Sequence, residues 1–304
     1  MGFKKVIGLT AAAAVCALVL SGCSGTNDAK SEGAGSNESA TKRVKIGTVG
    51  ASDPHWQKFI DAAKKEGIEV KLVDFSDYNQ PNPALSAGEI DLNQFQHNAY
   101  LAAYNESAND TLVPIGSTAI FPLSLYSTKY KSVAEIPAGG EIAIPNDESN
   151  RARALLVLQQ AKLLKLKNGG SIFSNLDDIL KEESKVKVRE VDATLTASSL
   201  NDLAGAVINN DFVAKAGLKF DDALFGDDPS DPSALPYVNH FTARAQDADN
   251  PTYKKLVEIY QNSKEVQEEL LKASDGSAVT LKVSASELLE SLKKVQQDIR
   301  NKKS

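Results

Sequence analysis

An α/β architecture with two lobes is what this sequence predicts. From Arg43 onward, short apolar runs of strand character alternate with stretches of helical periodicity. The alternation falls into two blocks of similar size. Two extended segments, near Leu123–Ser127 and Leu235–Asn239, are placed to connect them. Units ordered β-α-β form largely parallel sheets with right-handed crossovers. A chain that starts in lobe one, builds lobe two and returns leaves a cleft between the lobes. Small molecules bind such clefts beside strand C-termini and helix N-termini.

The elements follow in order. Val44 to Val49 reads as a strand, and Trp56, Phe59, Ile60 and Ala63 then recur at helical spacing up to Gly67. Ile68 to Phe75 is a second strand, Ile90 to Leu92 a short one, and a helix-like stretch begins at His97. Thr111 to Ile120 and Leu123 to Ser127 read as extended. In the second block Glu141–Ile144, Val186–Val191 and Leu203–Ile208 are strands. Asn150–Leu164 is a helix, and a further helix ends at Gly217. Tyr237–Ala243 is extended. The remainder is helical over Tyr253–Tyr260, Lys264–Leu271 and Glu287–Ile299, with Leu288, Leu292, Val295 and Ile299 on one face.

The N-terminus has a different character. Lys4 and Lys5 precede an apolar run from Val6 to Leu20, which suits a signal-peptide core and is too short to span a bilayer comfortably. It ends in Leu20-Ser21-Gly22-Cys23, a tetrad with small residues before the cut and a thiol to carry a diacylglycerol. Cys16 lies in the removed segment, so the mature chain has one cysteine, consumed by lipid, and no disulfide. Ser24 to Lys42 is polar and aperiodic, as expected of a tether. The expected organisation is therefore signal peptide 1–22, a flexible tether 23–42 carrying lipidated Cys23, lobe one from 43–125 and 237–304, and lobe two from 126–236. The net charge of −6 is distributed, without a basic stripe or aromatic platform, which argues against a nucleic-acid partner.

Four blocks are more specific. Asp74 to Leu101 reads DFSDYNQPNPALSAGEIDLNQFQHNAYL, Ala143 to Leu155 reads AIPNDESNRARAL, Ala206 to Leu218 reads AVINNDFVAKAGL, and Leu235 to Asn239 reads LPYVN. Together they resemble, in order and over nearly the whole mature chain, the methionine-binding lipoproteins of the NlpA type. The resemblance implies a two-lobed periplasmic-binding-protein fold with two hinge crossings and a ligand cleft between the lobes. It implies methionine, a related amino acid or a methionine dipeptide as ligand, and no cofactor. It also implies an ABC permease with its ATPase subunits as partner, and a monomer held at the membrane, on its extracytoplasmic side, by the lipid anchor. Carried over block by block, it points to Tyr78, Phe95, His97 and Tyr100 in lobe one. Asn150, Arg153, Asn209 and Asn239 are assigned to lobe two or the hinge.

The chemistry of these residues agrees. A zwitterionic amino acid needs an anion site, groups for its ammonium and a shaped apolar slot. Arg153 can grip a carboxylate through two parallel N–H···O bonds, near a helix start marked by Asn146, Asp147 and Ser149. Asn146, Asn150, Asn209 and Asn239 offer amide donors and acceptors, with Asn209 ranked above Asn239 and both above Asn146, although helix capping and turns are their common alternatives. Tyr78, Phe95 and Tyr100 suit a thioether, and His97 can bond the ligand or a pocket Tyr. Trp56 is placed equally as core or cleft wall. The loop Ala51–Trp56, the alternate Arg151, Leu235 and the C-terminal helix depart from the family's usual pattern.

Three rival readings stand beside this one. His55, His97 and His240 with Asp91 would suit a metal-binding lipoprotein if distant segments converged, although no local ligand spacing is present. No nucleophile elbow, P-loop or dinucleotide fingerprint supports an enzyme. An adhesin-like lipoprotein could retain the same fold.

Overall fold

The computed structural model describes residues 42–303. The signal peptide, Cys23 and nearly all of the tether lie outside the described residues. In chain order the structure begins with β1 (Lys42–Thr48), α1 (Pro54–Lys65), β2 (Ile68–Asp74), α2 (Pro81–Ser86) and β3 (Leu92–Asn93). α3 (Asn98–Ala108), β4 (Val113–Ser117) and β5 (Ala119–Ile120) follow. Next come β6 (Ser124–Tyr126), β7 (Glu141–Pro145), α4 (Glu148–Gln160), β8 (Lys187–Val191), β9 (Gly205–Ile208), α5 (Asn210–Val213) and β10 (Phe225–Gly226). The chain returns through a 3-10 segment, Pro232–Tyr237, to β11 (His240–Ala243), α6 (Pro251–Asn262), α7 (Lys264–Ala273), β12 (Val279–Thr280) and α8 (Ala285–Lys303).

Two five-stranded sheets share one order. The first runs β2-β1-β3-β11-β4 and the second β8-β7-β9-β6-β10. In each, three strands are parallel and the fourth position is antiparallel to both neighbours. That antiparallel strand is the one arriving from the other half: β11 returns to the first sheet, and β6 opens the second. Each lobe is thus completed by a segment that has just crossed the hinge, and the two crossings bind the lobes into one unit. Ser124–Tyr126 pairs with Ala206–Ile208, so the chain leaves the first lobe before Leu125.

Both sheets are covered on both faces, which is why β7 and β9 are apolar almost throughout. In lobe one, Ile46, Trp56, Phe59, Leu92, Phe241, Leu256 and Tyr260 form one core. On the other face Leu85, Ile90, Leu101 and Leu112 pack with Leu292, Val295 and Ile299 of α8. The stripe read from the C-terminal sequence is therefore a core face, lying against α3. In lobe two Leu125, Ile142, Ile144, Leu155, Leu158 and Val207 form the core. A fourth cluster spans both lobes, joining Val49, Tyr78 and Phe95 to Tyr126, Ile208, Phe212 and Val213. The lobes are closed on each other.

Local chemistry sets the boundaries. α1 begins with Pro54 at its first turn and is stopped at Gly67, whose φ of +73° suits glycine. α4 is capped by Asp147, which accepts a hydrogen bond from the Asn150 N–H at 2.9 Å. It ends at Gln160 and not at Leu164, because Lys162 turns left-handed (φ 60°) and sends Leu163, Leu164 and Leu166 into the lobe-two core. The stretch expected to be helical up to Gly217 is a four-residue helix followed by a 3-10 turn.

Candidate functional site

A narrow cavity lies between the lobes. Tyr78, Phe95, His97, Tyr100, Asn150, Arg153, Asn209 and Asn239 all line it. They arrive from strand ends and helix starts: Phe95 just after β3, His97 as the cap of α3, Asn150 and Arg153 on the first two turns of α4, Asn209 immediately after β9, and Asn239 just before β11. Phe121, Gln96, Asn210 and Tyr237 complete the wall. Tyr237 lies within the LPYVN block, so its place was open to reading. Phe121 had no motif around it.

Arg153 is 5 % exposed and is held on three sides. Its Nε donates to Asp227 Oδ2 at 2.6 Å and its Nη2 to Asp227 Oδ1 at 3.1 Å. Nη2 also donates to the Phe121 carbonyl at 2.8 Å, and the guanidinium lies 4.5 Å from the centre of the Tyr237 ring. The paired N–H face expected to grip a ligand carboxylate is therefore occupied by Asp227. A buried guanidinium needs a fixed counter-charge, and the acid supplies it. Nη1 takes no part in these bonds. Asp227 also accepts from the Leu123 N–H at 2.8 Å, which ties the first crossing to Arg153. Nothing in the local sequence around Asp227 marked it.

The histidine is a neutral bridge between the lobes. His97 Nδ1 accepts from the Tyr100 N–H at 3.2 Å, which places the ring proton on Nε2, 3.2 Å from Asn150 Oδ1 in the other lobe. Burial, and secondarily the Arg153 charge, push its pKa down to about 3. Asn150 is committed on both ends, because its Nδ2 donates to Asp147 at 3.1 and 3.2 Å. It orients His97 and leaves little to offer a ligand.

The aromatic wall is continuous. Tyr78, Phe95 and Tyr100 have ring centres 5.7–6.1 Å apart. The Tyr100 hydroxyl donates to the Tyr78 carbonyl at 2.9 Å. The Tyr78 hydroxyl crosses the cleft to donate to Asp211 Oδ2 at 2.8 Å. Two lining groups stand apart from this network: Asn209 Oδ1 and the Tyr237 hydroxyl are buried and lack a hydrogen-bond partner among the described residues. Asn209 occupies the cap position of α5, but its side chain makes no capping bond. The usual explanation for an Asn at such a position does not apply to it. A buried polar atom left unpaired is costly, and Asn209 Oδ1 is such an acceptor lining the cavity.

The remaining candidates fall elsewhere. Asn146 is exposed, and Arg151 pairs with Glu190 at 3.3 Å and lines a different cavity, beside α8. Trp56 is 2 % exposed, packs on Phe59 and Tyr260, and also lines a neighbouring chamber of the cleft, so both of its readings hold. His55, His97 and His240 do not converge with Asp91. His240 Nδ1 pairs with the Thr242 hydroxyl, and Asp91 accepts from the Lys45 N–H. Among the described residues no group of three or more His, Cys, Asp or Glu is placed to hold a metal ion.

Two lobes of one sheet order, two crossings and a closed polar–aromatic cavity between them define a periplasmic-type substrate-binding protein. The chain belongs to the NlpA lipoprotein family, whose model matches residues 44–281. It is 37 % identical over 252 residues to the D-methionine-binding lipoprotein MetQ of Yersinia pestis, covering 81 % of this chain and 91 % of that one. Protein PG110 from Staphylococcus aureus is 36 % identical, with a TM-score of 0.78 over 84 % of this chain and 99 % of that one. A nutrient-binding protein from Burkholderia cenocepacia, solved bound to methionine, is 40 % identical, with a TM-score of 0.73 over 78 % of this chain and 99 % of that one.

Proposed function

We propose that this chain is a lipid-anchored solute-binding protein that captures methionine, or a closely related amino acid or methionine dipeptide, and delivers it to an ABC permease. One observation carries the reading. A closed cavity joins a fixed cation at Arg153, an unpaired buried acceptor at Asn209 and a wall of three aromatic rings, which are the parts a zwitterion with an apolar side chain requires. Arg153 Nη1 meets the carboxylate. Asn209 Oδ1 accepts from the ammonium, with Asn239 beside it. Tyr78, Phe95 and Tyr100 receive the side chain, where sulfur at a ring edge gains ~0.3–1.5 kcal/mol. The relatives named for methionine support the choice of ligand.

The walls are buried, so ligand reaches the cavity only when the lobes part, and closure then sequesters it. The closed form is what the permease reads, and its ATPase subunits drive transport. The protein itself performs no chemistry on its ligand. The chain is a monomer, and anchoring through Cys23 on the extracytoplasmic side of the membrane fits the Leu20–Cys23 tetrad and the tether.

The direct test is to purify the chain beginning after Cys23 without added ligand, denature it, and identify the released small molecules by mass spectrometry. Methionine at close to one per chain supports the proposal. A different amino acid moves the specificity and keeps the transport role. If the protein releases nothing and calorimetry detects no amino-acid binding, the proposal fails.

A further inference from the structure

We propose that Asp211 is a positioning residue of this site: it fixes Tyr78 in the aromatic wall only when the lobes are closed, and it takes up the proton that closure forces His97 to release. The inference rests on the binding role proposed above.

The two lobes meet in the cleft through a matched pair of hydrogen bonds. In each a ring on lobe one donates to lobe two: Tyr78 to Asp211 Oδ2 at 2.8 Å, and His97 Nε2 to Asn150 Oδ1 at 3.2 Å. Both acceptors sit at the mouths of strands in the second sheet, after β9 and β7. Opening the cleft breaks both bonds and returns Asp211 and His97 to water. Closing it buries both.

The surroundings decide the protonation of each. Asp211 faces Tyr78 and Asp53 from lobe one, and Asn210 and Lys215 from its own lobe, and lines a chamber that adjoins the aromatic wall at Phe95. Burial raises its pKa to about 7. Asp53 raises it further, while the Tyr78 hydrogen bond, Lys215 and Asn210 oppose the rise. Asp53 is itself raised, by burial first, and it adds a second carboxyl beside Asp211 rather than a cation. His97 faces Arg153 and Asn150 from α4 and His240 from β11, with the Tyr237 ring edge-on at 5.3 Å. Burial lowers its pKa to about 3. His240 is pushed down to about 3 by burial within lobe one, and His55, which lines the same chamber as Asp211, is pushed down to about 4 by burial.

The signs oppose. A carboxyl group whose pKa rises on closure takes up a proton between its open value, about 4, and its closed value, so alone it favours capture as pH falls through that window. A histidine whose pKa falls on closure releases a proton below its open value, about 6.5, so alone it disfavours capture as pH falls. Between about pH 5 and 6.5 the two nearly cancel. Closure then moves one proton from His97 to Asp211 with little net exchange, and affinity stays level where a cleft histidine alone would weaken it.

The experiment is methionine calorimetry on the purified protein in buffers of different ionisation enthalpy, which counts protons exchanged per ligand bound. For the wild type at pH 5.5–6 the expected count is near zero, and affinity changes no more than a few-fold between pH 7.5 and 5.5. Asp211→Asn keeps the shape and an acceptor for Tyr78 but cannot be protonated. It should release close to one proton and bind about tenfold more weakly at pH 5.5 than at 7.5. Tyr78→Phe, which removes the hydroxyl alone, should bind more weakly yet keep the wild-type proton count. Equal counts in wild type and Asp211→Asn would overturn the inference, as would a Tyr78→Phe count matching Asp211→Asn. A wild type that binds no methionine instead refutes the proposed ligand.

Discussion

Replacing Arg153 by Ala tests the proposed anion site and the hinge together, because one side chain is placed at both. The change removes the cation, leaves Asp227 with the Leu123 N–H as its remaining partner here, and takes a donor from the Phe121 carbonyl. Removing one partner of a buried, hydrogen-bonded pair costs about 3–5 kcal/mol. Asp227 keeps 17 % of its side-chain surface in water, so a loss of about 2–4 kcal/mol in folding stability is the better expectation. For a chain of this size each kcal/mol shifts the melting midpoint by roughly 2–4 °C. Ligand affinity should fall by about 2–5 kcal/mol, the range for truncating one member of a buried charge pair. Calorimetric binding and thermal melting of Arg153→Ala, Asp227→Asn and the double variant separate the two losses. Asn at 227 relieves the unpaired charge left by Arg153→Ala, so the double variant should regain much of the stability and none of the affinity. Recovery of methionine binding in the double variant, or unchanged binding in Arg153→Ala, would show that Arg153 is a structural cation only and refute the carboxylate role.

Other expectations follow from single atoms. Asn209→Ala should cost about 1.5–3 kcal/mol of methionine binding, the range for a hydrogen bond to a charged group, without lowering the melting midpoint, since its Oδ1 has no partner among the described residues. A fall in stability with unchanged affinity would contradict that. Gly116→Ala should destabilise the fold by about 1–3 kcal/mol in a denaturant titration while leaving ligand affinity intact, because a Cβ on β4 collides with Val257 Cγ1 of α6. Cys23→Ser in the full-length chain should move the protein from the membrane fraction to the soluble extracytoplasmic fraction. Retention in the membrane would argue against the anchor.

What could be read from the sequence and what could not divides along sequence separation. β1 was legible because Val44, Ile46 and Thr48 alternate with exposed Lys45 within seven residues. The C-terminal helix was legible because Leu288, Leu292, Val295 and Ile299 recur on one face. The end of α4 was missed because nothing in the composition of Lys162 signals a left-handed turn. The eight cavity residues were found through their blocks, not through periodicity. Tyr78, Phe95 and Asn209 are each indistinguishable locally from core or capping residues, and only their convergence on one cavity separates them.

The groups that escaped the sequence reading are those whose role is a partnership across the fold. Asp227 is 74 residues from Arg153, and Asp211 is 133 residues from Tyr78. No window of sequence contains either pair. Both acids sit where the lobes or crossings meet, so their contacts exist only once both sheets are complete and closed. Their physical signature is energetic: a buried guanidinium requires an acid nearby, and a buried tyrosine hydroxyl requires an acceptor. Reading Arg153 as a buried anion-binding group therefore already demanded a counter-charge, whose place only the three-dimensional fold supplies. The departure from a free, two-handed Arg153 is a consequence of that demand. In the proposed binding mode the ligand meets the edge of a cation already neutralised and oriented, so the site would bind an anion without holding an uncompensated charge in its open state.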